Sequence, residues 1–316
     1  MKFSLATKKY IEERMRVGLS CKSSGYLLRQ FERMNGDKEL SNITEDEIFK
    51  FVYSGKVSEK THFSRFSIIR GLYKWAVNRG TVQSSPIVSD GPKSTCVFIP
   101  YIYTREELKK LFASAGTLND RSSPMQGDTM KAVLVTLYAC GLRLSEALNI
   151  RLCDIDLNSQ RLTILETKFK KSRILPFGDE LCAFISKYYR MRCKHLPLPY
   201  GQKSHLFVSR TGHQFSKNHI SHMFERIRKL ADIYVPERKQ QPRLHDLRHT
   251  FAVHKLMELY NSGKEVNKLI HELSTYLGHK DLEDTKVYLS MTKEFLEIVS
   301  QKFEIFANQE KENHEK

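Results

Sequence analysis

Ala132-Val-Leu-Val-Thr-Leu-Tyr-Ala-Cys-Gly-Leu142 is followed at once by Arg143-Leu-Ser-Glu146-Ala-Leu148, and the reading of this junction decides the fold. The first part is the longest apolar run of the chain, about half of the ~20 residues a membrane span requires. It therefore predicts a buried helix over 128–140, ended at Gly141. An arginine directly behind such a helix is unfavourable unless it meets an anion, because burial strips its hydration. Its planar guanidinium matches either a carboxylate or two phosphate oxygens. Arg143 is thus either half of an ion pair with Glu146 or a phosphate ligand. The same choice arises in His245-Asp-Leu-Arg-His249, where Arg248 shares a helical pattern with Phe251 and Leu256 and Asp246 is the candidate partner.

Working outward, residues 150–157, 161–166 and 171–176 are short, Ile/Leu-rich and bounded by turn residues, which predicts a small antiparallel sheet. Helices are expected again over 179–193, 216–231, 244–260, 265–276 and 292–306. Upstream, Thr104-Arg-Glu-Glu107 has the form of a capping box. Residues 84–103 gather Ser85-Pro86, Asp90-Gly91-Pro92 and Pro100, and read as a linker. The first 83 residues predict four helices, over 4–17, 21–34, 44–54 and 58–79. In the last of them Phe63, Phe66, Ile69, Tyr73 and Ala76 form an apolar stripe, with Arg65, Arg70, Lys74 and Arg79 off it. The expected fold class is mainly α with a small antiparallel β-sheet. It comprises an α-helical N-terminal domain (1–83) and a mixed α+β domain (104–307), with a disordered Glu/Lys/Asn-rich tail (308–316).

The 316 residues carry 52 Lys and Arg against 36 Asp and Glu, a net charge of +16. The excess is spread: 17 basic against 10 acidic side chains over residues 1–100, and 35 against 26 beyond. A localised basic tail would suggest a targeting signal or membrane tether, whereas a distributed excess suggests a surface that tracks a phosphate backbone. The start lacks the apolar stretch of a signal peptide, so a cytoplasmic protein, nucleoid-associated in a prokaryote, without membrane contact is expected. The six cysteines (Cys21, Cys96, Cys140, Cys153, Cys182, Cys193) contain no Cys-x-x-Cys pair and read as reduced packing residues. His245 and His249 have a spacing that can bind zinc, but a third ligand is hard to find, so no metal site is expected.

Four blocks together resemble the tyrosine recombinase, or phage integrase, family. Gly141-Leu-Arg143-Leu-Ser-Glu146 is similar to its first arginine block, and Leu244-His245-Asp-Leu-Arg248-His-Thr-Phe-Ala to its His-x-x-Arg block. Leu277-Gly-His279, with Tyr288 nine residues on, is similar to its last histidine and nucleophile. Lys168, in a predicted turn between two strands, resembles its hairpin lysine; Lys170 and Lys171 compete for that assignment. The resemblance implies a site-specific DNA recombinase of the simple two-domain Xer, integron or transposon type. The N-terminal domain would be its core-binding domain, and because the chain is short and that domain begins early, no additional arm-binding domain is expected.

Cleaving a phosphodiester needs a nucleophile, a proton acceptor, a proton donor for the leaving oxygen, and cations around the phosphate. The resemblance implies that Tyr288 forms a 3′-phosphotyrosyl bond while Arg143 and Arg248 hold the non-bridging oxygens. Lys168 would protonate the departing 5′ oxygen, His245 would assist proton removal, and His279 would bind the phosphate. Glu146 and Asp246 would support the arginines and histidine, and Arg65, Arg70, Lys74, Lys170, Lys171 and Arg173 are candidate DNA contacts. No cofactor or ATP follows from this scheme. The expected partners are double-stranded DNA at specific sites and further copies of the chain, as a synaptic tetramer, with accessory proteins left open. The apolar face of Phe295, Ile298, Val299, Phe303 and Phe306 would dock on its own domain or on a neighbouring protomer. A type IB-like topoisomerase and a catalytically inactive DNA-binding protein of the same fold are the alternatives.

Overall fold

The computed structural model describes residues 1–19, 21–93, 99–118, 126–165, 172–236, 240–261 and 266–278, with 282, 285, 287, 288 and 291 beyond them. The chain divides into two compact units, one over Met1–Phe98 and the other within the chain from Ile99 onward.

Among its described residues the first unit holds four α-helices: α1 (Phe3–Arg16), α2 (Lys22–Asn35), α3 (Glu45–Tyr53) and α4 (Glu59–Asn78). Thr44 and Glu47 close a reciprocal capping box on α3, and the Ser58 hydroxyl accepts from the Thr61 N–H to start α4. Both caps satisfy amide donors that a helix leaves open at its N-terminus. Phe3, Phe31, Phe51, Ile48, Leu72 and Tyr73 form the core of this bundle. The buried arc of α4 is Arg65, Phe66, Ile68, Ile69, Leu72, Tyr73 and Ala76. At about 100° per residue this arc is centred near Ile69 and Ala76, which leaves Phe63 outside it, 39% exposed, and brings Arg65 inside it, 9% exposed. The apolar stripe expected from sequence is thus corrected at both positions.

The second unit is helical around a small sheet, as the sequence predicts. Its helices are α5 (Arg105–Gly116), α6 (Gly127–Ala139), α7 (Leu144–Asn149), α8 (Asp179–His195), α9 (Lys217–Leu230), α10 (Asp246–Asn261) and α11 (Val266–Leu277). Strands β1 (Ile155–Asp156), β2 (Arg161–Ile164) and β3 (Arg173–Pro176) lie antiparallel in the order β1-β2-β3, with Ile155 opposite Leu162 and Ile164 opposite Arg173. The first strand is much shorter than the expected 150–157. The Arg151 N–H donates to Asp154 Oδ2 at 2.8 Å, and this closes a tight turn over Leu152–Asp154 in place of an extended chain.

Helix α6 is the hub, with Met130, Ala132, Val133, Leu134 and Leu137 all buried and α5, α8 and α10 packed around it. Tyr103 ties the start of the unit to α10. Its N–H donates to Thr250 Oγ1 at 3.0 Å and its hydroxyl to the Arg243 carbonyl at 3.2 Å. The five described cysteines are free; Cys153 is exposed on its turn rather than packed as expected. Among the described residues no helix is long and apolar enough to cross a membrane. The expected helix over 292–306 and the tail over 308–316 lie outside the described residues.

Candidate active site

Gly141 sets the geometry at the end of α6. Its φ is +57°, a conformation glycine adopts without steric cost, and a Cβ there would approach Phe251 Cδ1 to 2.4 Å. The turn brings α6 hard against α10, and the Gly141 carbonyl accepts from Arg248 Nη1 at 2.7 Å. Arg248 Nη2 donates to the Leu277 carbonyl at 2.8 Å, so α10 is pinned to the ends of both α6 and α11. Burial above all, and then the Arg143 charge, pull this guanidinium down to about 10, which leaves it charged at neutral pH.

Arg143 stands at the N-terminus of α7. Its backbone N–H donates to Glu146 Oε2 at 3.0 Å, Nη1 to Glu146 Oε1 at 2.8 Å, and Nη2 to the Gly278 carbonyl at 3.2 Å. The Glu146 side chain, 4% exposed, also faces Arg248 Nη1 at 3.8 Å and receives both Nη atoms of Arg173, at 2.9 and 3.2 Å. Burial alone would raise this carboxyl, but the Arg173 hydrogen bond, the Arg143 N–H and the Arg173 charge hold it at about 2. Three guanidinium groups from α7, β3 and α10 thus surround one carboxylate.

Two expected DNA contacts are placed elsewhere by this geometry. Arg173 donates through Nε to the Tyr276 carbonyl at 2.9 Å while its Nη atoms hold Glu146, so it clamps β3 to α7 and α11. Gly278, at φ +68°, leaves room for that clamp, since a Cβ there would lie 3.1 Å from Arg173 Nη1. Arg65 is buried, with Nη1 donating to the carbonyls of Phe51 at 3.1 Å and Ser54 at 2.7 Å, and it caps the end of α3. Arg70 and Lys74 are exposed on the opposite side of α4. Lys168, Lys170, Lys171 and His279 lie outside the described residues.

Tyr288 is 3% exposed and packs among Ala252, Val253, Leu256, Leu273 and Leu277. Its hydroxyl is 2.8 Å from His249 Nδ1 and within electrostatic reach of Arg248. His245, one turn earlier, meets the His249 ring edge-on with centroids 4.9 Å apart. Burial first, and then neighbouring positive charge, lowers both imidazoles to about 4: His249 and Arg248 act on His245, and Arg243 and Arg248 on His249. Both are neutral at pH 7. His245 also lines a cavity of about 540 Å³ with Leu144, Gln241 and Arg243.

Asp246 partners Arg243 rather than Arg248. It accepts from the Arg243 N–H at 2.8 Å and from Nη2 at 3.2 Å, which fixes the entry into α10. The structure sets His249 against the Tyr288 hydroxyl. The only signal in the sequence was its spacing from His245; the partner lies 39 residues further along the chain. Tyr138 and Tyr276 are engaged elsewhere, Tyr138 with His254 Nδ1 at 2.9 Å and Tyr276 stacked on Phe251.

The chain is similar to known proteins over most of its length. A profile of the phage integrase family matches residues 103–294. The tyrosine recombinase XerC of Oceanobacillus iheyensis is 29% identical, over 85% of this chain and 84% of that one. The XerC of Chlorobaculum tepidum is 30% identical, over 72% and 68%. Among solved structures, a transposon Tn1549 integrase in complex with transposon right end DNA shares the fold with a TM-score of 0.67 at 17% identity, over 91% of this chain and 94% of that one.

Proposed function

Because the chain belongs to the phage integrase family of tyrosine site-specific recombinases, we propose that it cuts and rejoins duplex DNA through a 3′-phosphotyrosyl intermediate on Tyr288. The observation that carries this reading is the cluster around Glu146. Among the described residues one buried carboxylate offsets one of three guanidinium charges, and a phosphodiester supplies a further anion in a geometry that guanidinium groups match. The Tyr288 hydroxyl lies within reach of the Arg248 field, and a cation there favours the phenolate as it attacks.

In this scheme Arg143 and Arg248 hold the non-bridging oxygens, Glu146 and Arg173 hold those arginines in place, and Asp246 fixes the start of α10. Lys168 protonates the departing 5′ oxygen, His279 hydrogen-bonds the phosphate, and His245 assists proton transfer. The bond energy is kept in the adduct and released when a second 5′ hydroxyl attacks, so the chemistry needs no ATP. Residues 1–83 serve as the core-binding domain, joined through 84–103 to a catalytic domain over 104–307, with Arg70 and Lys74 against the DNA backbone. The Tn1549 integrase structure holds transposon DNA, which supports DNA as the partner. Recombination joins two duplexes, so a synaptic tetramer is the working assembly, acting on DNA in the cytoplasm.

The test uses nicked suicide duplexes made from the DNA flanking the gene, incubated with wild-type and Tyr288→Phe protein in EDTA and resolved on a denaturing gel. A covalent adduct for wild type alone is expected. An adduct that persists in Tyr288→Phe, or one that EDTA abolishes, would sink this reading.

A further inference from the structure

The tyrosine hydroxyl that attacks a phosphate must give up its proton, and the residue against Tyr288 is not the one motif spacing selects. His249 Nδ1 is 2.8 Å from Tyr288 Oη, with ring centroids 5.7 Å apart. The His245 ring meets that of His249 edge-on. We propose that His249 is the base that takes the Tyr288 proton during strand cleavage and returns it on rejoining, a role that rests on Tyr288 being the nucleophile.

The surroundings fit that role. The polar and charged groups of the described residues that act on the His249 ring include the Tyr288 hydroxyl, the His245 ring, and the Arg243 and Arg248 guanidinium groups. Burial and these cations keep the imidazole neutral, so one ring nitrogen carries no proton. With the ring proton on Nε2, Tyr288 Oη–H donates to Nδ1. As the bond from Oη to phosphorus forms, the Oη–H bond breaks, and its proton and positive charge pass to the His249 ring. The bond from phosphorus to the 5′ oxygen breaks, and that oxygen takes its proton from Lys168. The phosphate brings negative charge to Arg248, whose field depresses His249 in the free protein, so the imidazole gains basicity when DNA is in place. Rejoining runs the same transfers backwards.

The test uses full-length protein and the nicked suicide duplex, with His249→Ala and His249→Asn. The Asn amide oxygen sits near the position of Nδ1; it accepts a hydrogen bond from Tyr288 but cannot keep a proton. Both variants are expected to bind DNA as wild type does and to form adduct slower by about 10²–10⁴-fold, the usual share of a general base. Replacing Tyr288 by the more acidic 3,5-difluorotyrosine should recover much of the rate in His249→Asn while changing the wild type little. Wild-type rates in His249→Asn, or no recovery with the fluorinated phenol, would reduce His249 to a positioning contact and overturn the proposal. If Tyr288→Phe forms no adduct while the His249 variants react at full rate, only this inference falls. If Tyr288→Phe still forms adduct, both readings fall.

Discussion

In the N-terminal unit the Arg65 guanidinium is buried over the Phe51 ring, and its Nη1 donates to the carbonyls of Phe51 and Ser54. In the second unit the guanidinium groups of Arg143, Arg173 and Arg248 crowd the single carboxylate of Glu146. Both sites bury arginine beside backbone carbonyls, yet they differ in what the partners leave over. Around Arg65 the acceptors are neutral carbonyls at a helix C-terminus, where the partial negative charge of the helix end suits a cation. That arginine completes a structural cap. Around Glu146, among the described residues, one negative charge meets three positive ones, and the surplus is an affinity for a further anion. The sign and number of the partners, rather than the burial of the arginine, separate a cap from a phosphate site.

The largest effect should come from Glu146→Gln. Removing one partner of a buried ion pair costs about 3–5 kcal/mol, so urea unfolding should show a loss of that size together with loss of strand cleavage. The same residue should set part of the acid sensitivity. Its carboxyl is held at about 2, below its ordinary 4.5. Its contribution, about 3 kcal/mol by linkage, is complete above the ordinary value and disappears as pH falls from there through about 2. Glu146→Gln should lack that component. Loss of less than about 1 kcal/mol in Glu146→Gln, well under the range for a broken buried pair, would mean that the surplus charge is compensated elsewhere, and the comparison would break.

A smaller effect is expected at Arg65. Arg65→Leu leaves the carbonyls at the end of α3 without their donor, at about 1–3 kcal/mol, and should leave the salt dependence of DNA binding unchanged. A shallower salt slope in this variant would return Arg65 to the DNA surface. The smallest effect on stability belongs to Arg70→Ala and Lys74→Ala, which should stay within about 0.5 kcal/mol of wild type. Each should lower the slope of log affinity against log salt by about 0.9 per lost phosphate contact, read from binding to random-sequence duplex. Unchanged slopes would take this face of α4 off the DNA.

Much of the fold was legible because it rests on local rules. The apolar run of α6, the capping box at Thr104, and the short Ile/Leu-rich strands predict a mainly helical chain with a small antiparallel sheet, which is what forms. The misreadings have physical causes. On α4 helical phase overrides residue type, so the buried arc takes in Arg65 and leaves Phe63 exposed. Residues 152–154 turn instead of extending, because the Asp154 carboxylate captures the Arg151 amide. Arg173 looks like a surface cation in a basic stretch, yet its acceptors come from Glu146 and the Tyr276 carbonyl, 27 and 103 residues away.

The sequence by itself determined the helical periodicity, the family to which the chain belongs, and the residue types from which its chemistry is assembled, because these follow from near-neighbour patterns and motif spacing. Only the tertiary structure decided which partner each charged or titratable group receives: Glu146 for three arginines, Arg243 for Asp246, backbone carbonyls for Arg65, and His249 for the Tyr288 hydroxyl. A guanidinium or an imidazole takes its role from the atoms within about 3 Å of it, and packing supplies those atoms from positions that local periodicity does not link.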